Sequence, residues 1–94
     1  MKKNDEILTI ECAAIKDIDG KIWSVPRPGR HHNVIKLMRD SGYTGPVAGQ
    51  DQQGFILSNG NFCRRKAAMR IAEEANQILG GKPISSVLTT EDLW

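Results

Sequence analysis

Apolar and polar positions along this chain run through the same pattern twice: a short alternating stretch, a turn, a second short stretch, then apolar residues at helical spacing. Residues 7–15, Ile-Leu-Thr-Ile-Glu-Cys-Ala-Ala-Ile, carry β-branched side chains and partial alternation, which suits a strand. Asp17-Ile-Asp-Gly20 is turn chemistry, and Lys21-Ile-Trp-Ser-Val25 follows it, so residues 7–25 are predicted to form a hairpin. Val34, Ile35, Leu37 and Met38 then predict a helix over 31–41, ended where Gly42 can take a left-handed conformation. Residues 42–54, with Gly42, Gly45, Pro46, Gly49 and Gly54, read as a loop long enough to be functional or mobile.

The second round opens with Gly54-Phe-Ile-Leu-Ser58, turns at Asn59-Gly60 and returns through Asn61-Phe62-Cys63, a hairpin over 54–63. Ala67, Ala68, Ile71, Ala72, Ala75, Ile78 and Leu79 share one face and predict a helix over 64–79, stopped by Gly80-Gly81 and kept stopped by Pro83. The tail, 82–94, ends on Leu93 and Trp94, large apolar residues expected to dock on their own domain or on a neighbouring subunit. The expectation is a single α+β domain over 1–94: a small antiparallel sheet from two hairpins, with two helices. At 94 residues such a core is small, and the Ala-rich helical stripe lets another surface approach closely, so a homo-oligomer is expected.

Charge sharpens this picture by its placement. The net charge is only +2, but residues 21–39 hold Lys21, Arg27, Arg30, Lys36 and Arg39 with no carboxylate, and residues 61–70 hold Arg64, Arg65, Lys66 and Arg70, again with none. Two basic patches alternating with acidic ones suit a discrete anionic ligand or charge-matched self-association. A nucleic acid is the weaker partner, since its binders usually carry a larger positive excess. Cys12 and Cys63 lie far apart in strand-like apolar runs and read as buried free thiols of a cytoplasmic protein. No apolar run follows the opening Met-Lys-Lys, and none approaches the ~20 residues of a membrane span.

Catalytic signatures do not emerge. There is no Gly-x-Ser-x-Gly elbow, no Walker loop and no His-Glu-x-x-His. His31 and His32 are adjacent, so on a helix they diverge by about 100° and cannot chelate one metal as an i, i+4 pair would. Asp17 and Asp19 flank a turn and need no further role. The expectation is therefore a binding protein with no catalytic residue, no metal and no cofactor. The candidate pocket starts from Trp23-Ser-Val-Pro-Arg-Pro-Gly-Arg-His-His32, where a helix N-terminus, Arg27, Arg30 and a protonated histidine would converge on an anion. Aromatic faces interleaved with arginines are what a nucleotide demands, which selects Trp23, Arg27, Arg30, His31, Phe55 and Arg65 as ligand-binding candidates. The plainer reading is a Pro-punctuated loop with solvated charges and a Phe55 that sits in the core.

The order Gly20-Lys-Ile-Trp-Ser-Val-Pro-Arg-Pro-Gly-Arg-His-His-Asn-Val-Ile35, Gly54-Phe-Ile-Leu-Ser-Asn-Gly-Asn-Phe-Cys-Arg-Arg65, Ile71-Ala72 and Glu91-Asp-Leu-Trp94 resembles a group of small bacteriophage proteins, over roughly 8–79 and the tail. Within that group it is similar to the anti-Thoeris and anti-CBASS sponge family. The resemblance implies non-catalytic capture of a cyclic nucleotide immune signal, a cyclic ADP-ribose isomer or a cyclic oligonucleotide. It also implies a homo-oligomer, with a hexamer among the expected forms, and ligand sites between subunits. Arg30 and Phe55 are carried over as phosphate and base contacts. Arg64 stands where a helix N-cap such as Asp is expected and Ala67 where the group tends to have Glu, departures that point to a different ligand preference. The alternative is an interaction protein that holds a host protein or nucleic acid through its basic patch and Trp94.

Overall fold

Two hairpins join along their first strands in a computed structural model that describes residues 8–49, 51–81 and 87–94. Strands β1 (Ile10–Lys16) and β2 (Ile22–Ser24) precede helix α1 (His31–Asp40). Strands β3 (Gln53–Leu57) and β4 (Phe62–Arg64) precede helix α2 (Arg65–Glu74). All strand pairings are antiparallel and the sheet order is β2-β1-β3-β4, which reads the same when the two units are exchanged. The predicted α+β class and both hairpins are therefore present. The expected starts of the first hairpin, at residue 7, and of the tail, at 82, lie outside the described residues.

Both turns work as their residues dictate. The Asp17 carbonyl accepts from the Gly20 N–H at 3.0 Å, and Gly20 takes a φ of 88° that costs a glycine nothing. In the second turn Asn59 Oδ1 accepts from the Asn61 N–H at 3.0 Å, and Gly60 holds a φ of 90°.

Residues paired across a sheet share a face, so Ile10, Ala13 and Ile15 of β1 lie with Leu57, Phe55 and Gln53 of β3. That face carries both helices. Val34 and Met38 of α1 pack on Ala13 and Ile15, flanked by Trp23, Val25 and Tyr43. Ala68, Met69 and Ala72 of α2 pack on Ile10, Phe55 and Leu57, joined by Leu88 and Leu93 from the C-terminal segment. A bulge between Ile10 and Cys12 offsets the two clusters along β1. Cys12 and Cys63 are free but half-buried, short of the full burial expected of them, because each lies on a sheet position its neighbours only partly cover.

Helix α2 is shorter than the 64–79 predicted from its apolar stripe. Asn76 takes a left-handed φ of 57°, its N–H bonds the Glu73 carbonyl at 3.1 Å, and the Gln77 N–H bonds the Ala72 carbonyl at 2.9 Å. This paired closure is a Schellman ending with Asn in the usual glycine position. It frees the Gln77 amide to pair with the main chain of Ile10, accepting from its N–H at 2.6 Å and donating to its carbonyl at 3.1 Å. Ile78 is still buried, but from beyond the helix, whereas Leu79 is exposed. Helix α1 ends the same way with Gly42, at φ 101°, as predicted.

Candidate anion-binding cleft

The six candidate ligand residues do not converge on one pocket. Trp23 is tied into the first turn: its Nε1–H donates to Asp17 Oδ2 at 2.9 Å, and Lys21 Nζ lies 4.2 Å from its ring centroid. Asp17 thereby does more than turn the chain, since its other oxygen accepts from the N–H groups of Asp19 and Lys21 at 2.9 and 3.0 Å. These bonds, the Trp23 bond above all, hold its carboxyl below the ordinary aspartate range.

Arg27 and Arg30 face the C-terminal segment instead of an open site. The Arg27 guanidinium sits 5.5 Å from the Trp94 ring centroid and reaches Glu11 at 3.5 Å. Arg30 donates to the Trp94 main-chain oxygen and pairs with Glu91 at 3.2 Å. The Trp94 Nε1–H closes the clasp on the Gly29 carbonyl at 3.1 Å. Trp94 thus docks on its own chain, in the place where a phosphate was expected.

His31 and Phe55 are interior. Phe55 is 0 % exposed, so it presents no face to a base, which corrects the stacking expectation: its ring is held by the apolar cluster under α2. The His31 ring meets it edge-on with centroids 5.1 Å apart, and His31 Nε2 lies 2.8 Å from the Gly54 carbonyl. A carbonyl only accepts, so Nε2 carries the proton. Burial pushes the His31 pKa down, the Gly54 bond opposes this, and nearby Arg65 adds to it.

Arg65 alone of the six lines a cleft of about 910 Å³ between α2 and the loop before β3. Arg64, Arg65, Lys66 and Arg70 supply one wall, at the end of α2 whose first turn has no acidic residue. Ala67, Ile71 and Val87 give apolar surface, and Ala48, Gly49, Asp51 and Gln53 complete the lining. The loop wall is fixed by polar bonds, with Gln52 Nε2 donating to the carbonyls of Pro46 and Lys16 at 2.8 and 3.2 Å. The Tyr43 hydroxyl also donates to Pro46, at 2.6 Å.

Arg64 pairs with Asp51 at 3.0 Å, while among the described residues Arg65, Lys66 and Arg70 have no carboxylate within ion-pair distance. Among the described residues these three cations carry no acidic partner, and the dipole at the N-terminus of α2 adds a partial charge of the same sign, so the local field is positive. The second basic patch was legible in the sequence and holds Arg65, Lys66 and Arg70, whereas Asp51 and Gln53 lie outside it and carry no signal of their own. Nothing local says that the Gly-rich loop folds back to meet those cations.

Among the described residues no group of three or more His, Cys, Asp or Glu could hold a metal, and no helix is long and apolar enough to cross a membrane. Comparison with curated proteins and with solved structures gave no match. The family comparison did: residues 9–94, from the first core strand to the docked tryptophan, match the phage T4 y16D protein, and the chain belongs to that family of small bacteriophage proteins.

Proposed function

We propose that this protein captures a small anionic nucleotide in the α2 cleft and holds it unaltered, as a stoichiometric sponge for a cyclic nucleotide signal of host immunity. The observation that carries the reading is the set Arg65, Lys66 and Arg70, gathered on one wall with no carboxylate partner among the described residues. A volume near 910 Å³ is in the range of small-molecule sites, which run to ~1,000 Å³. The phosphates face the cations, and the base rests on Ala67, Ile71 and Val87 with guanidinium planes beside it. Phage membership and the sequence resemblance to sponge proteins accord with this role. A homo-oligomer belongs to the same reading, and exposed Leu37 and Leu79 are apolar surface for it. The alternative, a host partner gripped by the basic patch and Trp94, is less well supported because Trp94 is engaged within the chain.

The test is calorimetric titration with cyclic dinucleotides, cyclic trinucleotides and cyclic ADP-ribose isomers. Wild type is expected to bind at least one of them. Arg70→Ala and Lys66→Ala should each weaken that binding by about 1.5–3 kcal/mol, the range for hydrogen bonds to charged groups. Ligand recovered after heat denaturation should be chemically unchanged; recovery of a cleaved nucleotide would replace the sponge with an enzyme.

A further inference from the structure

Asp51 is the one carboxylate among the described residues lining the cleft, which it shares with Arg64, Arg65, Lys66 and Arg70. Its backbone is left-handed, with φ 72°, a conformation that Asp, Asn and Gly accept and most residues resist. Its carboxylate meets the Arg64 guanidinium at 3.0 Å. Both partners remain more than half exposed, so the pair adds little to stability and keeps its carboxylate accessible to a ligand. For anions in general, Asp51 only cancels the attraction that Arg64 would otherwise supply.

We propose, resting on the nucleotide-capture reading above, that Asp51 sets the ligand class of the cleft. It accepts a hydrogen bond from a neutral donor carried by the same ligand whose phosphates meet Arg65, Lys66 and Arg70. A bare anion brings only repulsion to Asp51. A ligand that carries hydroxyl or amino donors beside its phosphates turns that repulsion into a charge-assisted bond. The donor is a ribose hydroxyl or the amino edge of a base, both of which carboxylates accept. The cleft thereby distinguishes nucleotides from inorganic phosphates, which a cell holds in large excess.

The experiment compares cyclic di-GMP, its bis-2′-deoxy counterpart and inorganic pyrophosphate as probes on wild type, Asp51→Gly and Asp51→Asn. Glycine keeps the left-handed backbone and removes the side chain, while asparagine keeps a neutral acceptor. Wild type should prefer cyclic di-GMP over pyrophosphate; Asp51→Gly should cut that preference at least tenfold, and Asp51→Asn by less. The same loss of preference in wild type with the deoxy probe assigns the donor to the ribose, and its retention assigns the donor to the base edge. Unchanged preference in both variants, with binding still abolished by Arg70→Ala, overturns the role of Asp51 and leaves the cleft standing. Failure of wild type to bind any of the three probes overturns the inference together with the reading beneath it.

Discussion

Arg30 and Trp94 grip each other across 64 positions of the chain: the guanidinium donates to the Trp94 main-chain oxygen, and the indole N–H returns a bond to Gly29, the residue before Arg30. Arg30 also reaches Thr90 Oγ1 at 3.4 Å and Glu91 at 3.2 Å, so one side chain ties the start of α1 to Thr90, Glu91 and Trp94. Arg30→Ala is therefore expected to act on stability, by about 1.5–3 kcal/mol for a hydrogen bond to a charged group. Lys36→Ala, which removes only an exposed i, i+4 pair with Asp40, should cost about 0.3–0.5 kcal/mol. Urea denaturation of both variants checks this; equal effects would show that the clasp contributes nothing.

Phe55→Ala should lower stability by ~3–5 kcal/mol, the cost of emptying a large buried aromatic site. Among molecules that remain folded, nucleotide affinity should stay as in wild type, because the ring does not line the cleft. Calorimetry below the variant's melting temperature separates the two effects.

Stability should fall on mild acidification. His31 has a lowered pKa in the folded protein, so the unfolded chain takes up a proton first, starting near the ordinary value of ~6.5. The stabilisation is full above that pH and declines as pH drops through the interval below it. Urea midpoints measured from pH 7.5 to 5 should show this limb, and His31→Gln should flatten it. Asp17 adds a second loss at lower pH, since its lowered carboxyl pKa stabilises the fold only above the unfolded range near ~4.

Much of this fold could be read directly along the chain because its signals are local. Asn59-Gly60 and Asp17–Gly20 mark turns by their own conformational needs, and Gly42 ends α1 by its own lack of a Cβ. The end of α2 escaped this kind of reading. Ile78 and Leu79 continue the apolar period past Asn76, yet the left-handed Asn76 closes the helix there and the freed Gln77 amide is satisfied by Ile10, 67 residues away. The site was harder still for the same reason. Arg27 and Arg30 look like an open anion pocket until Trp94 packs against them, whereas the cations of α2 gain a cleft only together with Ala48, Gly49, Asp51 and Gln53.

Gly54→Ala should be destabilising by about 1–3 kcal/mol or more, although the backbone there suits any residue. A Cβ at this position would strike the Cys63 carbonyl oxygen and sit 2.7 Å from Phe62 Cζ, and the carbonyl belongs to a sheet rung that cannot yield. Thermal unfolding of the variant checks this. Gly20→Ala, which meets no neighbour and strains only φ, should lose less.

Capture by the cleft should weaken as salt rises, because its cations are solvent-facing and screened over ~10 Å at 0.1 M. Titrations at 50 and 500 mM sodium chloride measure this, and Arg70→Ala should show the shallower dependence.

Strand β1 hydrogen-bonds β2 along one edge and β3 along the other, and its side chains serve both apolar clusters, Ile10 in one and Ala13 and Ile15 in the other. The repeated strand-strand-helix pattern is therefore not a pair of modules that could be cut apart. Severing the chain in the loop between α1 and β3 would leave each fragment with a bare central edge and half a floor for its helix. Two such fragments should fold only on meeting each other. The molecule is thus suited to reassembly from halves, with recovered nucleotide binding reporting that the halves have met.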